Sequence, residues 1–164
     1  AILSKLKRLK PELIYLPTFY ADAAAILNQA KRARFNPVVL ANSSLFSQKT
    51  IELGGEAVEG ILIPANYFSA DPRPAAQEFT REYQALYGTL PNQFAALAYD
   101  AANLMVAALQ KAGVEDRAKV KDALVSLQGF QGATGSISYA NSHDPEKELV
   151  KITIKDGKWV LYQP

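Results

Sequence analysis

A chain of 164 residues, 49% of them hydrophobic, has the material for one domain of ordinary size or for a piece of something larger. Its net charge of +2 and its 18 scattered basic residues lack the density of a nucleic-acid footprint, so no nucleic-acid partner is expected. The absence of cysteine excludes disulfides and thiolate chemistry, and no apolar run approaches the roughly 18 residues of a membrane span.

The chain opens with apolar residues at 2, 3, 6 and 9, a helical spacing with no N-cap before it. The first residues therefore read as the interior of something. Helix 2–10 leads to strand 12–16, and helix 20–34 leads through Asn36-Pro37 to strand 38–41. A short helix over 46–54 ends at Gly54-Gly55, and strand 60–64 follows. Three short apolar runs separated by helices predict a parallel sheet with right-handed crossovers. After Asn66 the composition changes. A Pro-rich loop at 69–74 starts a helix that runs to Tyr87, and Pro91-Asn92 starts another that runs to Ala112. The second is apolar on most sides, which predicts burial between layers. A third helix spans 116–127, with Val120, Leu124 and Leu127 facing inward. The end is β: 135–139 and 149–155 alternate, and Asp156-Gly157 is a two-residue hairpin turn before 158–163.

Metal and nucleotide chemistry find no support. The single histidine, His143, sits in a loop with turn chemistry, Asn141-Ser-His-Asp-Pro145. There is no G-x-S-x-G elbow, no G-x-G-x-x-G after a strand and no Walker sequence. No catalytic residue, metal ligand or cofactor is assigned. What remains are three loops that follow the predicted parallel strands: Thr18-Phe19-Tyr20, Asn42-Ser43-Ser44 and Asn66-Tyr67-Phe68. Each could be an ordinary helix cap. All three belong on one edge of the sheet, where open α/β sheets bind ligands. Aromatic walls with a few directed polar groups suit a small-molecule cleft.

These residues also carry a resemblance. Leu16-Pro-Thr-Phe-Tyr-Ala-Asp-Ala-Ala-Ala-Ile-Leu-Asn-Gln-Ala30, Glu52-Leu-Gly-Gly-Glu-Ala-Val-Glu-Gly60, Phe94-Ala-Ala-Leu-Ala-Tyr-Asp-Ala101 and Phe130-Gln-Gly-Ala-Thr-Gly-Ser-Ile137, with Asp144-Pro145 and Lys155-Asp-Gly-Lys158, follow in order over nearly the whole chain. Together they resemble the periplasmic substrate-binding proteins of ABC importers, of the branched-chain amino-acid type. The resemblance implies an α/β type I periplasmic-binding fold of which this chain is the C-terminal half. That fold has a parallel sheet with flanking helices, then further helices and a C-terminal β-hairpin. It implies that 1–66 is part of the C-terminal lobe, that helices in 67–130 belong largely to the N-terminal lobe, and that 131–164 is the hinge return with the closing strands. The hinge crossings are expected near Asn66–Ser69 and Gly129–Thr134.

The function implied is non-enzymatic capture of a small polar or amino-acid-like molecule between two lobes, and delivery to a membrane permease. The location implied is periplasmic, or extracellular and membrane-anchored. The strand-end loops put forward Thr18, Phe19, Tyr20, Asn42, Ser43 and Tyr67 as ligand-binding residues; the resemblance points within them to Phe19, Tyr20 and the Ser43 position, and adds Phe94 and Tyr99 on the helix that borders the family's cleft. Ser43 stands where the family often places an acidic residue against the ligand's ammonium. An unpaired buried ammonium is costly, so a neutral, aromatic or acidic molecule fits as well as an amino acid. The chain by itself is expected to self-associate or to pair with the N-terminal half. A sensor using the same fold is the alternative. An α/β hydrolase is the less favoured one, because it lacks a nucleophile and base.

Overall fold

The computed structural model describes residues 2–113, 116–139 and 143–163; Asn141 and Ser142 of the histidine loop lie outside them. In chain order the elements are α1 (Ile2–Leu9), β1 (Leu13–Leu16), α2 (Tyr20–Arg32), β2 (Val38–Ala41), α3 (Gln48–Gly54), β3 (Leu62–Ala65), α4 (Pro74–Tyr87) and α5 (Gln93–Ala112). There follow α6 (Arg117–Val125), β4 (Phe130–Gly132), β5 (Gly135–Ser138), β6 (Glu146–Lys147), β7 (Val150–Lys155) and β8 (Lys158–Leu161). They form two compact units, residues 1–65 with 151–164, and residues 66–150.

The first unit is built on a five-stranded sheet of order β1-β2-β3-β7-β8. β1 and β2 run parallel, Leu13 opposite Val38 through Leu16 opposite Ala41, and β2 runs parallel to β3. β1 stops because Pro17 follows it: a proline disfavours continued regular pairing. The next helix, α2, has Asp22 in its first turn and Lys31 and Arg32 in its last, which suits the helix dipole. It buries Ala23, Ala24, Leu27 and Ala30, one face of a 3.6-residue period. The centre of the sheet is the driest part. Ile61 and Ile63 of the β3 region and Ile152 and Ile154 of β7 are at most 2% exposed. β7 and β8 form an antiparallel pair, Lys155 opposite Lys158. The turn between them puts Asp156 and Gly157 at φ of 52° and 70°, as a primed hairpin turn demands.

The second unit packs α4, α5 and α6 with an antiparallel sheet of order β4-β5-β6. Tyr67, Ala76, Phe79, Ala96 and Ala133 form its core. Asn92 caps α5 through its side-chain oxygen, which accepts from Ala95 N at 3.0 Å, and Asp116 caps α6 on Lys119 N at 3.0 Å.

Two expectations change. The chain passes between the units after Ala65 and after Val150, whereas the sequence placed the return near Gly129–Thr134. That turn is held to α5 by the buried Asp100 carboxylate, so 130–150 groups with the helices. And α5 is not buried all round. Gln93, Ala96, Asp100, Leu104 and Ala108 form one buried stripe, while Phe94, Met105 and Val106 are about half exposed or more. β4 and β6 were not anticipated; three and two residues are too few to show a period.

Candidate functional site

Because β1, β2 and β3 are parallel, their C-terminal ends share one edge of the first unit. The residues just past them were the sequence candidates. Pro17 ends β1, and the chain folds back so that Thr18 N donates to Leu16 O at 3.1 Å. Thr18 Oγ1 reaches Asp22 Oδ2 at 3.4 Å. Phe19 is the N-cap residue of α2, offers no side-chain cap, and is 68% exposed. An aromatic ring held in water at a strand end costs solvation and contributes little to the unit's own core. Tyr20 is half-buried, and Lys49 Nζ stands 5.8 Å from its ring centroid.

The second loop is braced from below. Asn42 Oδ1 accepts from Ser44 N at 3.3 Å and so caps the 3₁₀ turn Ser43–Leu45. Ser43 O accepts from Phe46 N at 3.0 Å. Leu45 is fully buried, and its carbonyl takes the buried Thr50 hydroxyl at 2.5 Å. Phe46 meets Trp159 edge to face at 5.4 Å, and Trp159 Nε1 donates to Ser47 O at 3.2 Å. The C-terminal strand β8 thereby fixes the loop that carries Asn42 and Ser43. Thr18, Phe19, Tyr20, Asn42 and Ser43 follow the C-terminal ends of the parallel strands β1 and β2, on one edge of the sheet. Lys49 and Trp159 were missed from the sequence. A lone lysine carries no signal. The single tryptophan, placed in the last hairpin, was the available hint.

The other three candidates belong to the second unit. Phe94 is 68% exposed, on the side of α5 away from the buried stripe. Tyr99 is partly exposed and lies against Phe79, ring centroids 4.9 Å apart. Tyr67 is different. It is fully buried, its ring is edge-on to Phe79 at 5.6 Å, and its hydroxyl meets Thr80 Oγ1 at 2.6 Å. The Thr80 hydroxyl donates to Ala76 O, so the phenol is the donor of that pair. Burial pushes the Tyr67 phenol above its ordinary pKa. These contacts make Tyr67 a packing residue of the unit, with no face left for a ligand.

A polar network was also missed. Asp100, 2% exposed in the middle of α5, accepts from Ala133 N at 2.7 Å, Thr134 N at 2.9 Å and Thr134 Oγ1 at 2.5 Å. Lys147 Nζ donates to Thr134 Oγ1 at 2.6 Å, and burial pulls its pKa down. The sequence signal was an acid flanked by Ala-Tyr and Ala-Ala within an otherwise apolar helix. Among the described residues no group of His, Cys, Asp and Glu could hold a metal ion, and no helix is long and apolar enough to cross a membrane.

The chain matches the family model described as periplasmic binding protein over residues 1–158. It is 26% identical over 148 residues to a Leu/Ile/Val-binding protein homolog of Brucella suis, covering 89% of this chain and 39% of that protein. It is 26% identical over 147 residues to a leucine-, isoleucine-, valine-, threonine- and alanine-binding protein of Pseudomonas aeruginosa, covering 88% and 38%. Among solved structures it resembles a leucine-binding protein of Thermotoga maritima, with a TM-score of 0.89, 32% identity, and coverage of 99% of this chain and 47% of that one. It also resembles a branched-chain amino-acid substrate-binding protein of Streptococcus pneumoniae solved with isoleucine, with a TM-score of 0.80, 26% identity, and coverage of 99% and 48%. The chain thus spans less than half the length of each of these proteins. On the family match across almost its whole length and the type I periplasmic-binding fold it shares with them, the chain belongs to the periplasmic binding protein family.

Proposed function

We propose that this chain is the C-terminal half of a non-catalytic solute-binding component of an ABC importer, working outside the cytoplasmic membrane. The observation that carries the reading is the shared edge of β1, β2 and β3, where an exposed aromatic, Phe19, stands beside hydroxyl and amide groups in a chain of this family. Such an edge offers one wall of a cleft: a ring to cover apolar ligand surface and polar groups to orient it. The remaining wall is supplied by the half of the fold that the relatives have and this chain does not span. Apolar side chains open to water support that pairing, since Leu13, Tyr15 and Val38 are each half exposed or more along β1 and β2. Binding closes the two lobes, and the closed form is what a membrane permease recognises.

By the resemblance to the family, Ser43 in the loop after β2 takes a position that is often acidic there, so the ligand need not carry an ammonium. The test is calorimetry on the full-length protein with leucine and with 4-methylpentanoate, its skeleton without the ammonium, alongside mass spectrometry of the co-purified solute. Comparable affinity for the two, or a co-purified solute lacking an ammonium, is the expected result. Much tighter binding of leucine overturns the ligand class, and a protein with no small-molecule ligand overturns the function.

A further inference from the structure

Within the second unit, the buried Asp71 and Asp100 and the half-buried Arg73 and Lys147 gather about one residue, Thr134, which is fully buried. Every polar group it has is engaged. Its N–H and O–H donate to Asp100 Oδ2, at 2.9 and 2.5 Å. Its hydroxyl oxygen accepts from Lys147 Nζ at 2.6 Å. Its carbonyl accepts from Arg73 Nη1 at 3.4 Å. Arg73 in turn holds the buried Asp71 through Nε at 2.8 Å and Nη2 at 2.5 Å, and its Nη1 lies 3.9 Å from Glu148.

The sequence positions of these partners matter. Asp71 and Arg73 lie just after the point where the chain enters this unit, and Lys147 and Glu148 lie just before the point where it leaves. Asp71 N is itself tied back to Phe68 O at 2.9 Å. Two glycines let the charges in. A β-carbon at 132 would sit 2.6 Å from the Asp100 carboxylate, and one at 135, where φ is +98°, would run into the Arg73 guanidinium. A buried ionic set of this kind is seldom the most stable filling for its volume, since apolar groups of the same shape do as well. What it supplies is a fixed geometry.

We propose that Asp71–Arg73 and Asp100–Thr134–Lys147 form a single clasp that fastens the segments at both chain passages, 66–73 and 146–150, to one turn. The clasp makes the two passages a coupled pair, so that neither loosens alone. Its bearing on ligand capture rests on the two-lobe reading above; its existence as a coupled unit does not.

The experiment is hydrogen–deuterium exchange on the full-length protein, comparing the parent with Thr134→Val and Arg73→Gln. Thr134→Val removes the hydroxyl's bonds to Asp100 and Lys147 while keeping the shape and the backbone bonds to Asp100 and Arg73. Each variant is expected to raise exchange about five- to tenfold in 66–73 and in 146–150 together, with β1, β2 and β3 unchanged. An increase confined to 130–138 in Thr134→Val, or to 66–73 in Arg73→Gln, overturns the coupling. A uniform increase over the whole chain also overturns it, because the set would then be a general stabiliser. A second readout separates positioning from stability. The chain has no cysteine, so paired cysteines, one in each unit, can carry dyes. The inter-dye distance distribution is expected to broaden in Thr134→Val in solutions well below its melting temperature; an unchanged width overturns the role in fixing the passages. Loss of solute binding in the parent would refute the function while leaving the exchange result to stand or fall by itself.

Discussion

Phe19 and Tyr20 are neighbours with different surroundings. Phe19 is 68% exposed and caps nothing with its side chain, so Phe19→Ala removes little from the folded unit. Its expected effect is a ten- to hundredfold loss of ligand affinity, about 1–3 kcal/mol, with the melting temperature held. Tyr20 is half-buried under Lys49, so Tyr20→Ala is expected to lower both affinity and melting temperature. Calorimetry with thermal melts on the two variants checks this; unchanged affinity in both would remove this edge from the site. Two titrations are set by burial. Tyr67 has its pKa raised by burial, so its share of stability is present below about pH 10, the unfolded value, and is lost as pH rises through the folded value. Lys147 has its pKa lowered by burial, so its share is present above the unfolded value near 10.4 and is lost as pH falls through the folded value. Urea melts across alkaline pH are expected to show Tyr67→Phe removing the fall above pH 10, and Lys147→Met removing a rise on the approach to it. Parallel curves for parent and variants would contradict both assignments.

At the level of elements, the hairpin of β7 and β8 shows how a local signal acquires a distant partner. Asp156-Gly157 was legible as a turn from two letters of sequence. Its anchor was not: Glu59, at the entry to β3, accepts from Asp156 N at 3.1 Å and Gly157 N at 2.7 Å. A contact across nearly a hundred residues leaves no periodic trace. Gly157→Ala places a β-carbon at φ of 70° and is expected to cost about 1 kcal/mol. Glu59→Ala strips two charge-assisted bonds at an exposed site and is expected to cost about 1–2 kcal/mol. Exchange at Asp156 and Gly157 reads the local effect; if Glu59→Ala leaves it unchanged, the anchor is incidental. The same contrast runs through the chain. α2, α4 and α5 were readable from apolar spacing and from Asn92, Gly88 and Gly113 at their ends. β4 and β6 leave no such trace: each is too short to show a period, and the turn after β4 is held by Asp100 from a helix more than thirty residues away.

At the scale of the whole molecule, the parallel βα order and the strand-end edge followed from Leu13–Leu16, Val38–Ala41 and Leu62–Ala65, because apolar runs between helices admit few topologies. The fate of Tyr67 did not follow. An aromatic just past a strand reads the same whether it walls a cleft or fills a core, and only the packing of Phe79 and Thr80 decides it. The chain exposes 10532 Å² at 17.9 kDa. That surface is apolar in telling places. Leu13, Tyr15 and Val38 lie bare on the parallel sheet, and Phe94, Met105 and Val106 lie bare on α5. Parallel sheets are normally covered on both faces, and exposed patches of this kind mark surfaces meant to be covered. We therefore expect the 164-residue chain by itself to bind a hydrophobic dye and to self-associate, with a weight-average mass that climbs with concentration in sedimentation. Tyr15→Lys with Met105→Lys should reduce both effects while leaving the helical circular-dichroism signal in place. A protein that also carries the part of the fold that the relatives have and this chain does not span should show neither behaviour. A monodisperse 17.9 kDa particle that ignores the dye would mean that these side chains are tolerated in water, and the case for a covering half would then rest on family membership alone.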